Sequence, residues 1–112
     1  MRNFFLYLDD IEYSARVVKR NLKLMFFPQV VIYHKARGEE KHTPKIVYYS
    51  MRNRKLLINL HFGLIAKIYF DVVLIIKRIV WFFVNRKFYR LLLDAISDYN
   101  KKYFGLAPEN IK

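Results

Sequence analysis

The chain has 112 residues, of which 54% are hydrophobic and 18% aromatic, and 21 Lys and Arg against nine Asp and Glu give it a formal net charge of +12. This length allows one small domain, and the hydrophobic content excludes an intrinsically disordered chain. The absence of cysteine excludes disulfides and thiolate metal sites. The positive charge favours anionic partners, namely lipid headgroups, nucleic acid or phosphorylated small molecules.

The pattern of apolar residues in positions 1–33 predicts short strands on either side of one helix. Residues 4–8, FFLYL, are typical of a short buried strand. Apolar residues then recur every three or four positions and predict a helix over about 10–20. Residues 24–27 and 30–33 are β-type runs separated by Pro28, which predicts two short strands, or one strand and an extended segment.

Three carboxylates, Asp9, Asp10 and Glu12, lie together at the start of the first predicted helix. Asp9 as the N-cap and Glu12 three residues later form a variant of the capping box, and the helix dipole favours acids in a first turn. Capping explains Asp10 less well, because any good helix former serves at that position. The spacing therefore leaves both a structural and a catalytic role open.

Two further helices are predicted from their boundary signals. Polar residues 35–43 predict a loop. Thr43 followed by Pro44 is typical of a helix start, and we expect this helix to reach about residue 62. A last helix is predicted over about 88–103, ahead of a glycine and a proline.

Residues 64–84 are the most apolar part of the chain, but charged residues interrupt them. Each such charge costs about 2.5–3.5 kcal/mol at a bilayer centre, which argues against a simple membrane span. At 100° per residue, Lys67, Asp71 and Arg78 fall on one narrow stripe with Asn85. We expect an amphipathic helix that lies on the membrane surface with this stripe facing water. A helix packed in a bundle with one polar edge is the alternative.

The order of motifs resembles a known family. Residues 4–35 hold an aromatic lead-in, the acids, Tyr13 and Arg16, a run ending in Pro28, and His34 after a second run, and YYSMRNRKLL follows downstream. Together they resemble the segment that closes the catalytic domain of family-2 glycosyltransferases of the GT-A type, closest to rhamnosyl- and galactofuranosyltransferase-like members. The resemblance covers about residues 4–62, and DAISDYNKKYFG more loosely.

The resemblance implies an inverting transfer of a sugar from a nucleotide-diphosphate sugar to a glycan or lipid-linked acceptor. It implies that Asp10, or alternatively Asp9, is the general base. It also implies a divalent metal, Mg²⁺ or Mn²⁺, that offsets the charge of the leaving group, with His34 as one ligand. Three residues become candidates for contacting phosphates or organising the floor of the active site: Arg52, Asn53 and Arg54.

The family's donor-binding half, which ends in an Asp-x-Asp motif, is not found in these 112 residues. We therefore expect a mostly helical α+β fold. Residues 1–43 would be the C-terminal fragment of a GT-A catalytic domain, and residues 44–112 a helical, membrane-associating region. The chain would then be a truncated gene product, one subunit of a split enzyme, or an inactive remnant. In each case it would be inactive without a separate donor-binding chain.

The alternative to an enzyme fragment is a basic peripheral-membrane or interaction module whose acids only cap a helix. Either reading predicts an anionic membrane surface as a partner and a peripheral position on the cytoplasmic face of the membrane. We expect no nucleic-acid partner, because no known motif is present and the basic residues form no single stripe.

Overall fold

A computed structural model describes residues 7–33, 43–107 and 111, and the regular structure within these residues is entirely α-helical. In chain order the helices are α1 (Asp9–Lys19), α2 (Pro44–His61), α3 (Leu64–Val84) and α4 (Arg86–Asn100). All four were predicted from apolar periodicity and boundary signals, and the structure confirms them with shifts of up to three residues at their ends.

The predicted α+β class is wrong for the described residues, because none of them forms a strand. Residues 24–27 and 30–33 are exposed and irregular, and residues 7 and 8 form a bend. Residues 4–6 of the first predicted strand lie outside the described residues. A strand needs a neighbour to bond its backbone groups, and β-type sequence runs alone do not supply one.

Side-chain caps explain where two of the helices begin. The Thr43 hydroxyl accepts a hydrogen bond from the Ile46 amide at 3.4 Å, as the Thr-Pro signal predicts. The Asn85 side chain accepts one from the Phe88 amide at 3.1 Å, so α4 begins two residues before the predicted start. Asn is among the preferred N-cap residues, and this signal was present in the sequence.

Helices α2 and α4 form the centre of the core, where Tyr48, Leu92 and Ala95 are fully buried. Helix α3 packs alongside and contributes Leu74 as its only buried residue. Helix α1 lies at the edge of α2, where the Lys19 ammonium donates to the Leu60 carbonyl at 3.0 Å. The chain is therefore built on α2, which contacts each of the other three helices.

Most of the surface of α3 is exposed and hydrophobic. Of the twelve exposed positions of α3, eleven are hydrophobic and the twelfth is Arg78. These eleven residues are called the apolar face of α3: Leu64, Ile65, Ile68, Tyr69, Val72, Ile75, Ile76, Ile79, Val80, Phe83 and Val84. No helix among the described residues has the length and hydropathy needed to cross a membrane.

The predicted water-facing stripe of α3 is only partly correct. Asp71 forms an ion pair with Lys55 of α2, so this part of the stripe meets a neighbouring helix. Lys67 is half-buried, and Arg78 is exposed. The polar residues therefore lie mainly toward the packed side of α3, and the apolar face contains no charged residue.

Candidate functional site

The acidic cluster begins at an unusual turn. Tyr7 and Leu8 both have left-handed backbones, with φ of 65° and 66°. For residues other than glycine this conformation costs roughly 1–2 kcal/mol each. Such strain persists only where surrounding contacts hold it, and it is concentrated at functional sites. The acidic pair therefore follows two residues in a strained backbone conformation.

Asp9 and Asp10 are both exposed at the first turn of α1. The prediction that Asp9 is the N-cap is wrong, because α1 begins at Asp9 itself and Leu8 occupies the cap without a side-chain hydrogen bond. The Asp10 carboxylate accepts from the Ile11 amide at 2.8 Å. Both carboxylates are accessible to an external ligand.

Asn53 connects α2 to this turn. Its side chain is fully buried, and its amide nitrogen donates to the Tyr7 carbonyl at 2.9 Å. The two residues are 46 positions apart in the chain. A bond from the interior of α2 therefore holds the left-handed turn that precedes Asp9.

Glu12 does not form the predicted capping box but makes ionic contacts behind the first turn of α1. Only 4% of its surface is exposed, and its carboxylate contacts His61 Nε2 at 3.2 Å and the Arg16 guanidinium at 3.4 Å. Neither contact caps α1, so the capping role is wrong. Glu12 instead fastens α1 to the end of α2, and the sequence carried no signal that paired it with His61.

Arg52 is fully buried inside the helical unit. Its guanidinium donates to the carbonyls of Gly105 at 2.9 Å and Phe104 at 3.3 Å, and it lies 5.1 Å from the ring centre of Tyr49. Its Nε also donates to the Asn53 side chain at 3.3 Å. Both residues are thus engaged in the interior, and neither points at a phosphate outside it.

Arg54 is the exposed member of the predicted Arg-Asn-Arg group. Burial lowers the pKa of the Lys77 ammonium of α3, and the positive charge of Arg54 lowers that pKa further. Like charges that repel one another favour an anionic ligand. Of the three candidates for phosphate contact, Arg54 is the one that an external ligand can reach.

The metal prediction has no cluster to support it within residues 7–33, 43–107 and 111. These residues contain no group of three or more His, Asp or Glu side chains that could hold an ion. His34, the predicted ligand, lies outside the described residues. The described carboxylates therefore do not make a metal site among themselves, and Mg²⁺ or Mn²⁺ stays an expectation from the resemblance.

Comparison with protein-family models, curated proteins and solved structures finds no significant match for this chain. The candidate site lies at the start of α1. It consists of two accessible carboxylates on a strained turn, a buried Asn53 that holds the turn, and a buried Glu12 that fastens the helix behind it.

Proposed function

We propose that this chain is the acceptor-side, C-terminal part of an inverting glycosyltransferase. The full reaction transfers a sugar from a nucleotide-diphosphate sugar to a hydroxyl of a glycan or lipid-linked acceptor. One observation carries the proposal, the 2.9 Å bond from Asn53 to the Tyr7 carbonyl. It joins two parts of the resemblance, the Arg-Asn element and the aromatic lead-in that precedes the acidic pair.

Asp10 is the general base in this proposal, with Asp9 as the neighbouring alternative. Its exposed carboxylate takes the proton of the acceptor hydroxyl as that oxygen attacks the anomeric carbon. The bond from the anomeric carbon to the nucleotide diphosphate breaks, and the leaving group takes the electron pair. Attack and departure occur on opposite faces, so the anomeric centre inverts. The start of α1 suits this role, because it presents the carboxylate at the surface, where an acceptor can reach it.

Asn53 and Glu12 are positioning residues in this mechanism. A base contributes only when it lies within hydrogen-bond reach of the proton that it removes, and a small displacement reduces the rate strongly. Asn53 holds the turn in front of the acidic pair, and Glu12 fastens the first turns of α1 to His61. These contacts fix where the carboxylates lie relative to α2.

The donor-binding half with its Asp-x-Asp motif is not among these 112 residues. Catalysis requires donor, base and any metal in one place, so the proposal requires a donor-binding half supplied by a separate chain or a preceding segment. Reading the genomic sequence upstream of Met1 for such a half is the simplest first observation.

The test is a transfer assay with nucleotide sugars and lipid-linked acceptors, run with the donor-binding half present. Asp10→Asn should lower kcat by about 10²–10⁴-fold, because the amide cannot accept the proton. Asp94→Asn on α4, which replaces another of the chain's few acids, is the matched control and should retain activity. If Asp9→Asn inactivates the enzyme while Asp10→Asn does not, the base is Asp9. Full activity in both variants contradicts the proposal.

A further inference from the structure

We propose that the apolar face of α3 lies in the interface of an anionic lipid membrane, with Arg78 on a lipid phosphate. This inference rests on the exposed surface of α3 and does not depend on the glycosyltransferase proposal. The apolar face would contact the acyl chains, and the neighbouring cationic side chains would contact the lipid headgroups.

The apolar face of α3 is too long and too uniform for a surface facing water. Helix α3 has 21 residues, which at 1.5 Å per residue makes it about 31 Å long. Ile65, Ile75 and Phe83, spread along it, are 86%, 58% and 79% exposed. Soluble monomers rarely expose apolar patches larger than a few hundred Å². A partner must therefore cover this face.

The chemistry of the face favours lipid over protein. Protein interfaces carry about one hydrogen bond per 100–200 Å² of buried surface and a polar rim. Across the apolar face of α3 the only side-chain polar atom is the hydroxyl of Tyr69. Acyl chains require no hydrogen bonds, and the formal charge of +12 complements an anionic leaflet. A helix with an apolar face and a basic border is typical of interfacial binding.

A groove on this face is lined by both apolar and cationic side chains. It has a volume of about 320 Å³ and lies between α3 and α4, where it is lined by Ile75, Ile79, Phe83 and Tyr89 together with Arg78. The groove walls suit part of an acyl chain, and the Arg78 guanidinium at its border suits the phosphate of the same lipid.

The end of α3 provides further membrane anchors. The Lys77 ammonium lies 5.7 Å from the ring centre of Trp81, and the Arg86 guanidinium lies 4.5 Å from that of Phe82. Trp81 packs against the core and Phe88, whereas the exposed Arg86 side chain can extend from the apolar surface toward phosphates. Arg86 opens α4, so the chain passes directly from the apolar face into a basic turn.

The test is flotation of the full chain with vesicles of phosphatidylcholine alone or mixed with phosphatidylglycerol. The double variant Ile75→Gln with Ile79→Gln removes two exposed apolar side chains without changing charge, and it should reduce the vesicle partition coefficient about tenfold or more. Val18→Gln with Leu22→Gln, at residues that are both 58% exposed, is the matched control and should bind as wild type does. Circular dichroism confirms that both variants stay helical.

Charge is tested by a second pair of variants. Arg78→Gln should weaken binding to the mixed vesicles about fivefold and leave binding to pure phosphatidylcholine unchanged. Arg20→Gln on α1, with the same loss of charge, should change binding less than twofold. Raising the salt from roughly 0.1 M to 1 M should weaken wild-type binding to the mixed vesicles.

Four results overturn the inference. The first is wild-type protein that binds neither vesicle. The second is an equal loss of binding in the Ile75/Ile79 and Val18/Leu22 variants. The third is an equal loss in the Arg78 and Arg20 variants, which makes the attraction nonspecific. The fourth is an oligomer, seen by sedimentation velocity, that the Ile75/Ile79 variant dissociates without changing vesicle binding; the face is then an interface between copies of the chain.

Discussion

Arg52 and Arg54 lie two positions apart on α2 but have opposite surroundings. Arg54 is exposed, whereas Arg52 is fully buried against the rings of Tyr48 and Tyr49. A buried guanidinium is tolerated only when its donors find acceptors, and Arg52 finds the carbonyls that follow α4. The same residue type therefore has a structural role at one position and is available to ligands at the other.

Arg52→Leu should lower the free energy of unfolding by about 2–4 kcal/mol, because two part-buried carbonyls lose their charged donor. Arg54→Leu is the matched control and should change it by no more than about 0.5 kcal/mol. Urea denaturation followed by circular dichroism measures both. Arg52→Lys should still destabilise, since an ammonium does not reproduce the planar fork of guanidinium donors. Equal stability of the Arg52 and Arg54 variants would contradict the structural role.

Two tyrosines of α2 connect this helix to α4 and to the segment that follows α4. The Tyr48 hydroxyl donates to the Asp98 carboxylate of α4, and the Tyr49 hydroxyl accepts from the Ala107 amide at 2.6 Å. Burial raises the pKa of Tyr48 above its ordinary value, and the hydrogen bond to Asp98 raises that pKa further. The neutral phenol is thus the form that joins α2 to α4.

Tyr48→Phe should lower the free energy of unfolding by about 1–2 kcal/mol at neutral pH, because Asp98 loses a donor. The folded-state pKa of Tyr48 is raised, so its contribution is fully present below the unfolded value of about 10 and is lost as pH rises through the folded value. The stability difference between wild type and Tyr48→Phe should therefore shrink above about pH 10. Exposed Tyr13→Phe should show no difference at neutral pH, and a pH-independent Tyr48 effect would contradict the assignment.

The helices were predictable because their signals are local. Apolar periodicity and the Thr43-Pro44 start identify α2 from a few neighbouring residues. The strands were not, because residues 24–27 and 30–33 have β-type sequence but no neighbouring strand among the described residues. Strand propensity expresses packing against neighbours more than a backbone preference, so a pattern without partners remains irregular chain.

The site was predictable in its residue types but not in its contacts. The acidic pair was identified from the sequence, and the structure places it exposed at the start of α1. The roles of Asn53 and His61 depend on contacts to residues 46 and 49 positions away. No periodicity or cap signal encodes such pairs, which is why the sequence left Asn53 as a candidate for contacting phosphates or organising the active-site floor, and predicted Glu12 as part of a cap.

At the scale of the whole molecule, hydrophobic surface is unevenly distributed. One concentration is the apolar face of α3, and the other is the irregular segment 22–33, where Phe26 and Tyr33 are 89% and 95% exposed. The buried hydrophobic core consists of residues of α2, α3 and α4 with Ile111, and none of segment 22–33 belongs to it. In the glycosyltransferase proposal, a donor-binding half packs against the segment.

Limited proteolysis with chymotrypsin tests this division. The enzyme should cut first within 22–33, whose aromatic residues are exposed, and should spare the buried Tyr48 and Tyr49 of α2. Addition of the donor-binding half should slow the cleavage within 22–33 by about tenfold or more if it covers the segment. Early cuts in α2 would contradict the packed core, and unchanged cleavage would contradict docking on this segment.

The bonds from Arg52 and Asn53 have a consequence for connectivity. These adjacent residues of α2 hold the chain just before α1, at Tyr7, and just after α4, at Gly105. The segments that flank the set of four helices therefore meet at a single turn of α2. A circular permutant that joins the two ends with a linker, and opens new ends within 22–33, would keep both bonds while placing α1 behind α4. We expect this permutant to fold with the same arrangement of helices, because both bonds are kept.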